Sequence, residues 1–336
     1  MSDLRPPLDR NRAFAATGAP AGLAGTASDE TVIDVSGLRM RYGAVEAVRG
    51  IDLRVRRGEV FAFLGPNGAG KTTTVEILEG YRPRTGGEVT VLGRDPRHAG
   101  PSWRARIGVV LQESEPERDL TAAECLKLYA GYYPAPRGVG ETLELVGLAD
   151  KAGSLASRLS GGQRRRLDVA LALIGDPELL FLDEPTTGFD PSARRAAWEM
   201  IGGLRALGVT VFLTTHYMDE AEQLADRVAV ISGGQIVAEG TPATLGGRQH
   251  AAAEIRFTLP PGSTAADLPD PVRSALAGQD GNRLLVRASP IVPVLGPLLG
   301  WAEANGSDLA DLDVRRPSLE DIYLSLTEPA TDGGGR

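Results

Sequence analysis

From Thr31 onward, apolar and polar positions recur with periods that predict regular structure. Thr31-Val32-Ile33-Asp34-Val35 and Ile51-Asp52-Leu53-Arg54-Val55 alternate as half-buried strands do. Val60-Phe61-Ala62-Phe63-Leu64 contains no polar position, as a strand covered on both faces requires. It leads through a Gly-rich turn into a helix pattern, Thr73-Thr74-Val75-Glu76-Ile77-Leu78. Residues 113–159 carry mostly helical patterns interrupted by Pro and Gly. Two more buried-strand runs, residues 179–182 and 209–213, flank a helix predicted over residues 192–207. That helix follows Asp190-Pro191, a good N-terminal signal. Val228-Ala229-Val230-Ile231 and Gln235-Ile236-Val237 enclose Ser232-Gly233-Gly234 and predict a hairpin.

Buried strands alternating with helices predict a mainly parallel α/β sheet. After Gly246-Gly247 the texture changes. Short strands are predicted at residues 254–259, 283–286 and 312–315, with helices near 271–277, 290–304 and 318–326. The expected organisation is a large domain over residues 31–245, with a helical subdomain at about 113–160, and a small α/β domain over 248–328. Residues 1–30 and 329–336 are expected to be a disordered leader and tail. No internal repeat is visible.

Composition narrows the function classes. A net charge of -8 argues against a nucleic-acid binder held by a broad basic surface. No run approaches the ~20 consecutive apolar residues that span a bilayer, so a membrane role calls for a separate partner chain. Residues 1–30 lack the apolar block of a secretory signal. The single cysteine, Cys125, forms no internal disulfide, which suits a reducing cytoplasm. It lies in an apolar helical run, where core packing is the expected role. Arg outnumbers Lys so heavily that only Lys71, Lys127 and Lys151 remain.

One of those lysines sits in the strongest motif. Gly65-Pro66-Asn67-Gly68-Ala69-Gly70-Lys71-Thr72 fits G-x-x-x-x-G-K-[ST] between a predicted strand and a predicted helix. Its glycines let backbone N–H groups wrap phosphates, and the helix adds the positive end of its dipole. Lys71 can reach the β- and γ-phosphates of ATP, and the Thr72 hydroxyl can hold Mg²⁺. Leu179-Leu180-Phe181-Leu182-Asp183-Glu184 is an apolar strand ending in two acids. Asp183 is the candidate Mg²⁺ support and Glu184 the group that polarises an attacking water; a solvated strand end is the plain alternative. Leu159-Ser160-Gly161-Gly162-Gln163 precedes Arg164-Arg165-Arg166 at the start of a further helix. Ser160 can cap it while the glycines leave N–H groups open to an anion. The plain alternative is an ordinary capped helix with a basic solvated face.

With these three elements in order, the chain resembles the ATP-binding subunits of ABC transporters over about residues 32–240. Residues 159–163 match that family's signature. The resemblance implies an α/β P-loop NTPase fold of the ABC ATPase type, with antiparallel β and helical subdomains and the small C-terminal domain following. It also implies roles for single residues. Tyr42 is similar to the aromatic that stacks on adenine, and Thr73, directly after the phosphate loop, is implied as a further nucleotide-binding residue. Gln112 resembles the Q-loop glutamine that contacts Mg²⁺ or water and faces the membrane partner. Asp190, in Gly188-Phe189-Asp190-Pro191, resembles the D-loop aspartate, and His216 the switch histidine on the γ-phosphate. Phe189 stands where the family usually has Leu.

The resemblance further implies a head-to-tail homodimer, or a dimer with a similar chain, at the cytoplasmic face of a membrane. Each ATP would lie between Lys71 of one copy and Ser160 and Gly162 of the other. Arg316-Pro317-Ser318-Leu319-Glu320-Asp321-Ile322-Tyr323-Leu324 resembles the ending of the daunorubicin/doxorubicin resistance ATPases. In that ABC-2 type group the permease is a separate chain. A terminal helix that docks on its own domain is the plain reading of the same segment. An importer ATPase shares every catalytic motif, and a soluble ABC ATPase acting on ribosomes or DNA is a further alternative.

Overall fold

The computed structural model describes residues 30–112, 116–309 and 311–327. Most of the expected leader, the tail and residues 113–115 lie outside these.

β1 (Thr31–Tyr42) and β2 (Val45–Arg56) form a long antiparallel pair in which Ile33, Val35 and Leu38 face Val55, Leu53 and Ile51. Their inward side chains join one hydrophobic core. β3 (Val60–Leu64) follows, buried at every position as its apolar run demands, and leads to α1 (Lys71–Leu78). β4 (Gly86–Val91) pairs with β1 and completes a three-stranded antiparallel sheet, β2-β1-β4. α2 (Pro101–Arg104) and β5 (Ile107–Val110) come next. Then α3 (Ala122–Ala130), α4 (Val139–Leu145) and α5 (Gly161–Leu173) fill the stretch where helical patterns dominate. Cys125 is buried in α3, in the core as expected.

β6 (Leu179–Asp183), α6 (Pro191–Ala206), β7 (Thr210–Thr215), α7 (Met218–Leu224), β8 (Arg227–Ser232) and β9 (Gln235–Gly240) continue the chain. They build a six-stranded sheet, β5-β6-β7-β3-β8-β9, parallel except for the β8-β9 hairpin. Phe212 on β7 lies within 5.7 Å, ring centre to centre, of Phe61, Phe63 and Phe181 on the strands beside it. This aromatic layer packs against β1, β2 and α1, while α3 to α7 cover the other face of the sheet. The C-terminal ends of β3, β6 and β7 therefore open side by side, which is where a parallel sheet places its site.

The last part comprises β10 (Ala253–Thr258), α8 (Asp270–Ser274), β11 (Leu276–Asp280), β12 (Arg283–Ala288), α9 (Val292–Ala304), β13 (Asp313–Arg315) and α10 (Leu319–Thr327). Its sheet, β11-β12-β10-β13, is antiparallel. Two sequence expectations change here. The helix predicted near 271–277 ends at Ser274, and Leu276 and Ala277 enter β11, because a Gly281-Asn282 turn pairs β11 with β12. Leu319 of α10 joins the core of the six-stranded sheet, not that of the C-terminal sheet. The terminal helix thus packs away from the strands that precede it.

Candidate functional site

The loop of residues 65–70 joins the end of β3 to α1. α1 opens at Lys71, two residues before its apolar pattern begins, so Lys71 and Thr72 occupy the first turn. There the backbone N–H groups lack helical partners and the dipole is positive. Gly65 is imposed by packing: a Cβ would lie 2.4 Å from the Ile231 carbonyl oxygen. Gly70 has φ 108°, and its Cβ would meet the Ala47 carbonyl oxygen at 2.6 Å. Lys71 is 7% exposed and donates to the carbonyl oxygens of Gly65 (2.6 Å) and Pro66 (3.2 Å). Burial pushes its ammonium below the usual lysine range, while Glu184 and Asp183 pull it up. Phosphate oxygens would exchange neutral acceptors for charged ones, which make stronger bonds.

Around Lys71 lies a cavity of about 630 Å³. It is lined by Gly65, Pro66, Asn67, Gly68, Gly70, Lys71, Thr72, Thr73, Gln112, Asp183, Glu184 and His216, with Ala47 and Tyr323. Besides the signature residues and Asp190, two predicted residues are not in this wall. Ala69 is 3% exposed and packs into the core, and its N–H donates to the Pro66 carbonyl at 3.2 Å. Tyr42 lies at the edge, its hydroxyl 3.4 Å from that of Thr73. The Arg82 guanidinium sits 5.3 Å from the centre of the Tyr42 ring, a cation–π contact.

Asp183 and Glu184 end β6 inside this cavity, held by β7. The Thr214 hydroxyl donates to Asp183 Oδ1 and accepts the Glu184 N–H at 3.2 Å, which the Thr214 carbonyl also accepts at 3.1 Å. Glu184 has φ 45°, a left-handed conformation costing a side-chain-bearing residue about 1–3 kcal/mol. The turn sets its carboxylate, 13% exposed, among three groups. His216 Nδ1 lies 3.3 Å from Oε1, while Gln112 Nε2 (3.4 Å) and the Thr187 hydroxyl (3.1 Å) donate to Oε2. Both oxygens are thus oriented for accepting a proton. Among the described residues no group of three or more His, Cys, Asp or Glu could hold a metal alone. The Thr72 hydroxyl, Asp183 carboxylate and Gln112 amide share the cavity and offer hard oxygen donors. That set, with its one carboxylate, fits Mg²⁺, which is bound through one or two carboxylates and completes its shell with other oxygens, waters and phosphates.

Ser160, Gly161, Gly162, Gln163 and Asp190 line a second cavity of about 900 Å³, which shares only Gln112 and Glu184 with the first. Ser160 Oγ accepts the Gln163 N–H at 3.3 Å, and Gln163 Oε1 accepts the Ser160 N–H at 3.0 Å. This reciprocal cap, worth about 1 kcal/mol, leaves the Gly161 and Gly162 N–H groups without helical partners. The Gln163 side chain is therefore engaged in the cap. Asp190 is likewise occupied, its Oδ1 accepting the N–H groups of Ser192 and Ala193 at 2.9 Å each as the cap of α6.

Several groups that set this geometry give no sign of it in the sequence. Arg165 is not part of a solvated face: its guanidinium donates to the carbonyls of Leu111, Asp183 (2.7 Å) and Pro185 (3.3 Å). It ties α5 to the strand ends that carry Gln112 and Glu184. Burial lowers its pKa from the ordinary arginine value. Thr187 and Tyr323 are equally silent, and Thr214 is hinted at only by the Thr214-Thr215-His216 run.

Comparison with known proteins shows which family the chain is similar to. The family description "ABC transporter" matches residues 48–187, and that of an ABC-transporter-like C-terminal domain matches residues 253–318. A daunorubicin resistance ATP-binding protein of Streptomyces coeruleorubidus is 38% identical, over 89% of this chain and 96% of its own. A Nod factor export ATP-binding protein of Cupriavidus pinatubonensis is 38% identical, over 80% and 91%. A doxorubicin resistance ATP-binding protein of Mycobacterium tuberculosis is 34% identical, over 91% and 96%. Among solved structures, the ADP conformation of an ABC transporter's ATP-binding cassette has a TM-score of 0.56 at 25% identity, covering 63% of this chain and 91% of that one. A Clostridium perfringens subunit of an ABC transporter complex has a TM-score of 0.59 at 25% identity, covering 64% and 90%.

Proposed function

The chain belongs to the ATP-binding proteins of ABC transporters and is an ATPase, and from that premise we propose that it powers export through a separate ABC-2 type permease by ATP-driven pairing of two copies. The observation carrying the pairing is the division of phosphate-binding elements between two cavities. Lys71 and the loop glycines line one, and the open amides of Gly161 and Gly162 line the other. A head-to-tail pair would bring the second cavity of one copy over the first cavity of its partner. In this reading Lys71 and residues 65–73 hold the phosphates, with Tyr42 against adenine. Thr72, Asp183 and Gln112 hold Mg²⁺, which would neutralise charge on the phosphates. Glu184 takes the proton of the attacking water, His216 orients Glu184 toward the γ-phosphate, and Asp190 steadies the pair interface. We divide the chain as the sequence suggested, with an ATPase domain of residues 31–245 and a small C-terminal domain of 248–328.

A separate permease is favoured because no helix among the described residues is long and apolar enough to cross a membrane. Export is favoured by the export named for the Nod factor relative and is consistent with the drug resistance named for the daunorubicin and doxorubicin relatives. A groove of about 890 Å³ offers the permease a docking place beside the ATP site. Its wall includes Glu76, Glu79, Tyr81, Leu111, Tyr129, Tyr133 and Asp168, and Tyr81 is 79% exposed. The chain would then lie at the cytoplasmic face of the membrane. Reconstituting chain and permease in vesicles tests this reading. ATP-dependent movement of cargo away from the ATPase side supports it, and movement toward that side would make the chain an importer subunit instead.

Glu79 gives this groove a pH signature. Burial, reinforced by Asp183 and Glu76, pushes its carboxyl up to about 8. An acid with a raised folded pKa keeps its proton longer in the folded state. Its contribution to stability is therefore full below the unfolded value and is lost as pH rises toward 8. Replacing Glu79 by Gln should flatten the fall in melting temperature between about pH 5 and pH 8, the difference between the two proteins being greatest at the alkaline end. Parallel melting curves across that range would remove Glu79 from this role.

A further inference from the structure

The terminal helix α10 reaches back to the phosphate cavity, and three contacts fix it there. Leu319 is fully buried in the core of the six-stranded sheet. Ile322 lies so close to Gly246 that a Cβ on that glycine would be 2.6 Å from it. The Arg248 guanidinium donates to the Pro317 carbonyl (2.8 Å) and to Glu222 of α7 (2.7 Å), joining the segment before α10 to the helix that follows His216. Held in this way, α10 places Tyr323 in the wall that also contains Lys71, Glu184 and His216. Tyr42 is not in that wall, so this is the phosphate half of the site. Among the described residues no group bonds the Tyr323 hydroxyl. Burial raises its pKa, so the hydroxyl remains a proton donor at neutral pH.

We propose that Tyr323 is a nucleotide-binding residue whose hydroxyl donates a hydrogen bond to the terminal phosphate of ATP bound at Lys71, so that the C-terminal helix completes the site. The inference rests on the ATPase reading above. It gives the C-terminal part a direct role in nucleotide sensing. α10 registers whether a γ-phosphate is present, and it lies against α7 next to the histidine on the same phosphate. ADP, one phosphate shorter, would leave the hydroxyl without this acceptor.

The test is Tyr323→Phe in the full chain, read by titration with fluorescent ATP and ADP analogues in the presence of Mg²⁺. A hydrogen bond to a charged group is worth roughly a tenfold change in affinity. The variant should bind the ATP analogue about tenfold more weakly and the ADP analogue as the parent does. Phe keeps the ring packed, so an unchanged melting temperature shows that the fold is intact. Equal losses for both nucleotides, or no loss for either, would overturn the proposal while leaving the ATPase reading in place. A parent protein that binds neither analogue would overturn that reading, and this one with it.

Discussion

Glu184→Gln should lower ATP turnover by at least about 100-fold while leaving ATP bound and the chain paired. Among the described groups in the phosphate cavity, this carboxylate alone has a partner at each oxygen: His216 Nδ1 lies 3.3 Å from Oε1, and Gln112 and Thr187 donate to Oε2. Gln has the same length and shape and loses only the basic oxygen. The left-handed backbone at residue 184 is held by Thr214, whose carbonyl and hydroxyl oxygens both accept the Glu184 N–H, so the substitution leaves it undisturbed. Lys71, Thr72 and Asp183 remain in place, and nucleotide binding with them. If hydrolysis is what separates the copies, stopping it should trap them together. The measurement is phosphate release alongside size-exclusion chromatography with saturating ATP and Mg²⁺, in the presence of the permease. A variant that turns over within about tenfold of the parent would remove Glu184 from the base role; one that stays monomeric would sink the sandwich.

What the sequence discloses and what it hides follow one physical division. Residues 65–72, 159–163 and 183–184 are contiguous, and each carries its chemistry in a single turn, cap or strand end. The chemistry proposed for them is readable because the residue types themselves suggest it. β3, β6 and β7 are readable for a similar reason, since strands covered on both faces carry a continuous apolar run, here residues 60–64, 179–182 and 211–213. β4 and β5 are not. β4 begins with Gly86-Gly87 and β5 has four residues, too short for a period to show. β11 reads as the end of a helix because its identity depends on pairing with β12, not on its own pattern. The same holds for Arg165, which looks like one of three surface arginines until α5 is set against β6. Tyr323 is the extreme case. Its place in the cavity wall that also holds Lys71 arises from a helix returning to a distant part of the fold, and no local spacing announces that.

The division of the site between two cavities leads to the other large effect. Lys71→Ala and Gly162→Asp should each reduce turnover by about 100-fold or more, yet an equal mixture should recover about a quarter of parental activity. Lys71→Ala removes the cation of the loop cavity. Gly162→Asp sets a carboxylate beside open amides meant for phosphate, and the added Cβ meets only the Ala193 Cβ at 3.5 Å, so the helix accommodates it. In a head-to-tail pair each site takes its loop from one copy and its signature from the other. A pair of identical variants has two defective sites. A mixed pair concentrates both defects in one site and leaves the other with an intact Lys71 and an intact Gly162. Half of the pairs formed at random are mixed, with one good site of two, which yields the quarter. Two differently tagged variants should also co-purify with ATP and Mg²⁺, holding one nucleotide per pair. Were each copy to complete its own site, the mixture would be as inactive as its components, and the phosphate loop would have no need of a second chain.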